Sequence, residues 1–153
     1  MAAKRGFTLV ELMIVVSLLG ILAALVIPQF GSNTAEAKTS ALSSNLAAIR
    51  KQIELYRYHH QDLLPAAVGD SGADFIQRMT GKTDATGAPG VAFGPYFLRV
   101  PVNPFNDRGS VRIGGAAAGA NTDGWRFDPA TGQFQADDNL DLDGDGTPDH
   151  TML

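Results

Sequence analysis

Apolar positions along this chain fall into three regimes, and each predicts a different kind of structure. The first regime is Phe7-Thr-Leu-Val-Glu11-Leu-Met-Ile-Val-Val-Ser-Leu-Leu-Gly20-Ile-Leu-Ala-Ala-Leu-Val-Ile-Pro28, with no charged residue from Leu12 to Ala35. Those 24 residues, wound as a helix, rise about 1.5 Å each and reach about 36 Å, enough to cross a hydrocarbon core of about 30 Å with some tilt. Pro28 cannot donate a backbone hydrogen bond, and with Gly20 and Gly31 nearby it predicts a bent or locally melted stretch around residues 20 to 31. In the second regime, Ala35, Leu42, Leu46, Ile49, Ile53 and Tyr56 recur every three, four or seven positions. That spacing puts one apolar stripe on a core while Lys38, Arg50, Lys51 and Glu54 reach water. Residues 7 to about 60 therefore read as one helix near 80 Å long if continuous, ended by His59-His60 and Leu63-Leu64-Pro65.

The third regime, from Pro65 onward, is short and punctuated. Phe75-Ile-Gln-Arg-Met79 predicts one helical turn. Residues 94 to 106 read as a loop whose aromatic side chains plug it onto the long helix. Val111 to Ile113 is a candidate strand. Trp125-Arg-Phe127, then Asp128-Pro-Ala-Thr-Gly132, then Phe134 predicts a hairpin, because alternating apolar residues flank a Pro/Gly turn. Trp125, Phe127 and Phe134 are read as core, and Gly114 to Gly119 as a flexible surface loop.

Composition narrows the functions open to such a chain. Its 153 residues carry 12 Lys and Arg against 16 Asp and Glu, a formal charge of −4. A polyanion would be repelled, so nucleic acid is not an expected partner. There is no cysteine, hence no disulfide, thiolate metal site or thiol nucleophile. No Ser/His/Asp set or phosphate-binding glycine loop stands out, and His59, His60 and His150 lack zinc spacing, adjacent histidines facing different sides of a helix. The chain is therefore read as no enzyme, since the 90 or so loop-rich residues after the helix are few for a polar cleft.

Glu11 decides how the N-terminus is read. Lys4 and Arg5 before the apolar run keep that end in the cytoplasm and send the remainder outward. A cleaved signal peptide would use Ala35-Glu-Ala37, but the apolar run is too long for one. A plain anchor leaves Glu11 unexplained, since a carboxylate inside an apolar span costs about 2.5–3.5 kcal/mol. Lys4-Arg5-Gly6 followed by Phe7-Thr8-Leu9-Val10-Glu11 and a long apolar helix instead resembles the class III signal of type IV pilins and type II secretion pseudopilins. The resemblance implies cleavage after Gly6 by a prepilin peptidase, which also methylates the new amine of Phe7. It makes Glu11 and Pro28 assembly residues, with Glu11 four positions from that amine. Cleavage removes Lys4 and Arg5 and leaves 10 basic and 16 acidic residues, a charge of −6. An amine on one subunit can then neutralise the carboxylate of another when helices bundle, which would set their register. Pro101-Val-Asn103-Pro104-Phe105 is similar to the Pro-x-Asp-Pro-Trp segment of major pseudopilins, with Asn and Phe at two positions.

The acidic C-terminal stretch supplies the remaining chemistry. Asp141, Asp143 and Asp145 at loop positions 1, 3 and 5, Gly146 at 6, Thr147 at 7 and Asp149 at 9 offer the oxygen ligands a hard cation needs, and Ca2+ takes six to eight. Met152 stands at position 12, so the EF-hand pattern is incomplete. The stretch also resembles the calcium repeat of thrombospondin type 3 modules. Missing oxygens are sought in Asp137, Asp138, Asn139 or backbone carbonyls. A small head without disulfides needs a staple, and the family resemblance implies that calcium supplies it, as in major pseudopilins.

These readings converge on an α+β, pilin-like lollipop: a long N-terminal helix packed on a small antiparallel sheet. Residues 1–6 are the leader, 7–31 the transmembrane and filament-core half of the helix, and 32–153 the periplasmic head with its calcium loop. The expected function is a structural subunit of a type II secretion pseudopilus, working in protein secretion. The implied partners are further copies in a helical filament, other pilin-like subunits, the prepilin peptidase, an inner-membrane assembly platform and membrane lipid. The protein would sit in the bacterial inner membrane with a single pass before polymerising. A type IV pilus subunit is the alternative, and a signal-anchored periplasmic protein the remote one.

Overall fold

The structure, a computed structural model, describes residues 6–141 and 144–153, with side chains at 24–33 and at Met152 left aside. The element order is α1 (Leu9–His59), α2 (Gly72–Thr80), β1 (Val111–Ile113), β2 (Trp125–Phe127), β3 (Phe134–Ala136) and a final 3-10 turn, Asp149–Met152. The fold is α+β. The chain divides between Ala37 and Lys38 into two compact units.

The helix α1 is continuous over its 51 residues, Gly20, Pro28 and Gly31 included. The local melting expected there does not occur: proline removes one hydrogen bond from the helix ladder, and the remaining bonds of a long helix carry on past it. In the first unit the large apolar side chains from Phe7 to Leu22 are 48% to 81% exposed. Among the described residues, no helix is long and apolar enough to cross a membrane. The expected span continues into residues 24–33, whose side chains lie outside the description.

The second unit has a conventional core. Leu42, Leu46, Ile49, Ile53 and Tyr56 are all buried on one face of α1, as their spacing requires, but Ala35 is exposed. Helix α2 is longer than one turn because Ser71 and Asp74 form a capping box at its start, and it buries Phe75 and Met79. Phe75 lies 5.0 Å from Phe127 and 5.7 Å from Phe134 between ring centroids. Trp125 packs 5.5 Å from Phe134. The loop at 94–106 docks through Tyr96, whose ring meets Tyr56 edge-on at 5.3 Å.

The hairpin forms as expected, β2 antiparallel to β3 with Phe127 opposite Phe134. The sheet is nevertheless mixed and not antiparallel throughout, because β1 runs parallel to β2. Residues 114–124 make this possible, since a connection of about a dozen residues can return the chain to the same end of a sheet. That connection is tied down more firmly than its Ala/Gly composition suggests. Arg112 donates to the carbonyls of Gly114, Ala116 and Ala117 at 2.8, 2.9 and 3.2 Å, and Asp137 accepts from the amides of Gly119 and Ala120 at 3.2 and 3.3 Å.

Candidate functional site

Two separate places carry the residues that the sequence singles out. The first is the start of α1. Gly6 and Phe7 are exposed and lie ahead of the helix. Thr8 is its N-cap: Thr8 Oγ1 accepts from the Glu11 amide at 3.2 Å, and Glu11 Oε2 accepts from the Thr8 amide and hydroxyl at 2.9 and 2.7 Å. This reciprocal pair is a capping box, which satisfies amides that a helix start would otherwise leave unbonded. Thr8 is therefore a site residue that attention to charge alone misses, although the Thr-x-x-Glu spacing spells it out. Its hydrogen bonds hold the Glu11 carboxylate in place without cancelling its charge. Lys4 and Arg5, on which the leader reading leans, lie outside the described residues.

The second place is the acidic loop. Asp141 Oδ1 accepts from the Gly144 amide at 2.6 Å and Oδ2 from the Gly146 amide at 2.9 Å. Gly144 and Gly146 take left-handed backbone angles, φ 76° and 85°, which let the chain curl around that carboxylate. Asp145 accepts from the Thr147 amide at 2.7 Å and from the Thr147 hydroxyl. Asp149 begins the final 3-10 turn, its amide bonded to the Leu140 carbonyl at 3.0 Å. Asp143 lies outside the described residues, and among those described no three metal-ligating side chains stand together. In donor type the loop fits a hard divalent cation, since its side chains present carboxylate and hydroxyl oxygen only. With Asn139 and Pro148 it opens on a depression of about 490 Å³ beside residues 116–120.

The acids considered as reserve ligands have other employment. Asp137 is fully buried and pairs with Arg112 Nη2 at 2.5 Å. Burial pushes the Asp137 carboxyl up, but hydrogen bonding and the charge of Arg112, with the amides of Asp123 and Ala120, outweigh it and hold the group below the usual range. Asp138, also buried, accepts from His150 Nδ1 at 2.7 Å and from Asn103 Nδ2 at 2.7 Å. Sequence reasoning assigns His150 no role. Its partner is twelve residues away, and nothing in the local sequence announces the pairing.

His59 and His60 have separate surroundings. His60 is buried, with Nδ1 donating to the Tyr56 carbonyl at 2.7 Å and Nε2 accepting from the Thr83 hydroxyl at 2.9 Å. The Tyr96 hydroxyl, pushed up to about 12 by burial, donates to His59 Nδ1 at 3.0 Å. Both histidines serve packing at the end of α1.

Comparison with known proteins points to the first of these places. Residues 1–27 match the family model for the prokaryotic N-terminal methylation motif. Type IV major fimbrial protein FimA of Dichelobacter nodosus is 35% identical over 86 residues, covering 56% of this chain and 55% of that one. A fimbrial protein and the type II secretion system core protein G, both from Pseudomonas aeruginosa, are each 46% identical over 54 residues. Those matches cover 35% of this chain and 35% and 38% of theirs, so the chain aligns with about half or less of the length of these curated relatives. No solved structure matches the chain.

Proposed function

We propose that this chain, whose residues 1–27 match the prokaryotic N-terminal methylation motif, is a type IV pilin or pseudopilin family member and a structural subunit of a helical filament of the type II secretion pseudopilus kind. One observation carries the reading: behind Gly6-Phe7, a capped helix presents an unburied apolar surface from Phe7 to Leu22 with one carboxylate at its head. Apolar surface of that extent needs lipid or protein around it. A membrane-held prepilin and a helix-bundled filament supply the two in succession, with a prepilin peptidase and an assembly platform acting between them. The chain's part is mechanical, through packing and charge.

Processing gives a direct test. Mass spectrometry of the protein extracted from cell membranes is expected to find a chain beginning at Phe7 with one added methyl group. A chain still carrying Met1, or one beginning at Lys38, would refute the proposal.

Calcium is the proposed staple of the head, held by Asp141, Asp143, Asp145, Thr147 and Asp149. Bound there, the cation would offset the repulsion among these acids. A ligand at 100 times its dissociation constant stabilises by about 2.7 kcal/mol, which for a head of this size raises the melting temperature by roughly 10 °C. Thermal unfolding of the full chain in detergent, with millimolar calcium or with a chelator, reads this out. Identical melting curves would remove calcium from the account.

The longer match to FimA favours a second reading, a surface pilus subunit. Deleting the gene separates them: lost export of secreted proteins supports the pseudopilus, and lost surface fibres or motility supports the pilus.

A further inference from the structure

The acidic loop does not end in solvent. Its last residue, Asp149, is followed by His150, which is 3% exposed and hydrogen bonded to buried Asp138, and Asp138 in turn is bonded to fully buried Asn103. Asn103 organises the 101–108 loop: its side chain accepts from the Phe105 amide at 2.9 Å and donates to the Gly124 carbonyl at 3.0 Å. Its backbone bonds Arg108 and Asp107 at 2.9 Å each. The His150 ring also lies 4.1 Å from Phe105, over which Lys38 of α1 sits at 5.8 Å. The Asn103 amide is the donor that lets two buried neighbours share one carboxylate, a task an aspartate could not perform in ionised form. His150 Nε2 is buried without a hydrogen-bond partner among the described residues, so the ring's hydrogen bonding there runs through Nδ1 alone.

We infer that His150, Asp138 and Asn103 are positioning residues that join the order of the acidic loop to the conformation of the 101–108 loop, so that divalent-cation occupancy of the first is registered at the second. The inference rests on the calcium reading above. Buried polar chains of this kind are cooperative, because each member left unpaired carries a desolvation penalty. Shifting Asp149 moves His150, and a displaced His150 leaves Asp138 with one partner in place of two. The same logic makes His150 to the loop what an outer-shell partner is to a metal ligand, holding the ligand-bearing backbone where it must be.

The chain carries its own reporter. Trp125 is the sole tryptophan, and its indole N–H donates to the Pro101 carbonyl at 2.8 Å, at the root of the 101–108 loop. Calcium added to the full chain in detergent is expected to change Trp125 emission with the midpoint that calorimetry gives for binding. In His150→Ala, calcium affinity should fall about 10- to 100-fold and the emission change should vanish. His150→Asn, whose amide nitrogen can stand in for Nδ1, should restore both. Calorimetric binding with unchanged Trp125 emission would overturn the link while leaving the calcium site intact, and needs no variant that must fold. Absence of any binding heat together with an unchanged melting temperature would remove the calcium site and the link together. Equal affinity and equal emission change in His150→Ala and the unaltered chain would also overturn it.

Discussion

Filament yield is expected to collapse in Glu11→Ala and Glu11→Gln alike. On the filament reading proposed above, the carboxylate of one subunit would meet the Phe7 amine of another, and removing one partner of a desolvated pair leaves the other charge uncompensated at a cost of about 3–5 kcal/mol. Each 1.4 kcal/mol is tenfold in an equilibrium constant, so the polymerisation threshold should rise by roughly two to three and a half orders of magnitude. The two variants divide the effect into parts. Glutamine can still close the capping box with Thr8, because the N3 position accepts Gln as well as Glu, whereas alanine loses both the cap and the charge. Glu11→Gln therefore tests charge alone. Sheared-fibre recovery and electron microscopy of cells expressing equal amounts of each protein are the measurements. Normal fibre yield from Glu11→Gln would mean that the carboxylate acts only as a helix cap.

The second large effect lies in the head. Asp137→Ala should lower its stability by about 3–5 kcal/mol, since it leaves Arg112 without its carboxylate in a mostly buried setting. It also withdraws the acceptor on which the Gly119, Ala120 and Asp123 amides converge. For a head of this size the melting temperature should drop by roughly 10–20 °C. The sign with pH is set by the depressed carboxyl value. The folded state binds the Asp137 proton less readily than the unfolded chain, whose carboxyl titrates near about 3.9. The contribution is therefore fully present above that value and lost as the pH falls below about 4, through the lower folded value. Thermal unfolding of the full chain in detergent across this range should show a steeper acid decline for the unaltered chain than for Asp137→Ala. Parallel curves with unchanged melting temperature would sink this account of the head.

The features legible in sequence share a physical cause: their determinants are neighbours along the chain. Helix α1, its buried stripe at Leu42, Leu46, Ile49, Ile53 and Tyr56, and the hairpin turn between Phe127 and Phe134 all follow from periodicity and local turn chemistry. The capping box of Thr8 and Glu11 was equally local and readable from its spacing, but hidden behind the interest of the charge. Ala35 shows the limit of periodicity, since it fits the stripe yet is exposed. The parallel placement of β1 was not legible, because a strand of three residues says nothing about which way its neighbour runs.

For the acids the division is sharpest. Six aspartates between Asp137 and Asp149 look alike as a run of charge, and by itself the sequence established only that they could offer oxygens at cation-binding intervals. Tertiary structure decided that Asp137 belongs to Arg112 and Asp138 to His150 and Asn103, because those partners are brought from distant parts of the chain into a buried space where an ion must be paired. What the sequence determined alone was the N-terminal motif, since glycine, phenylalanine, threonine and glutamate there form a short linear pattern that is readable without a folded head.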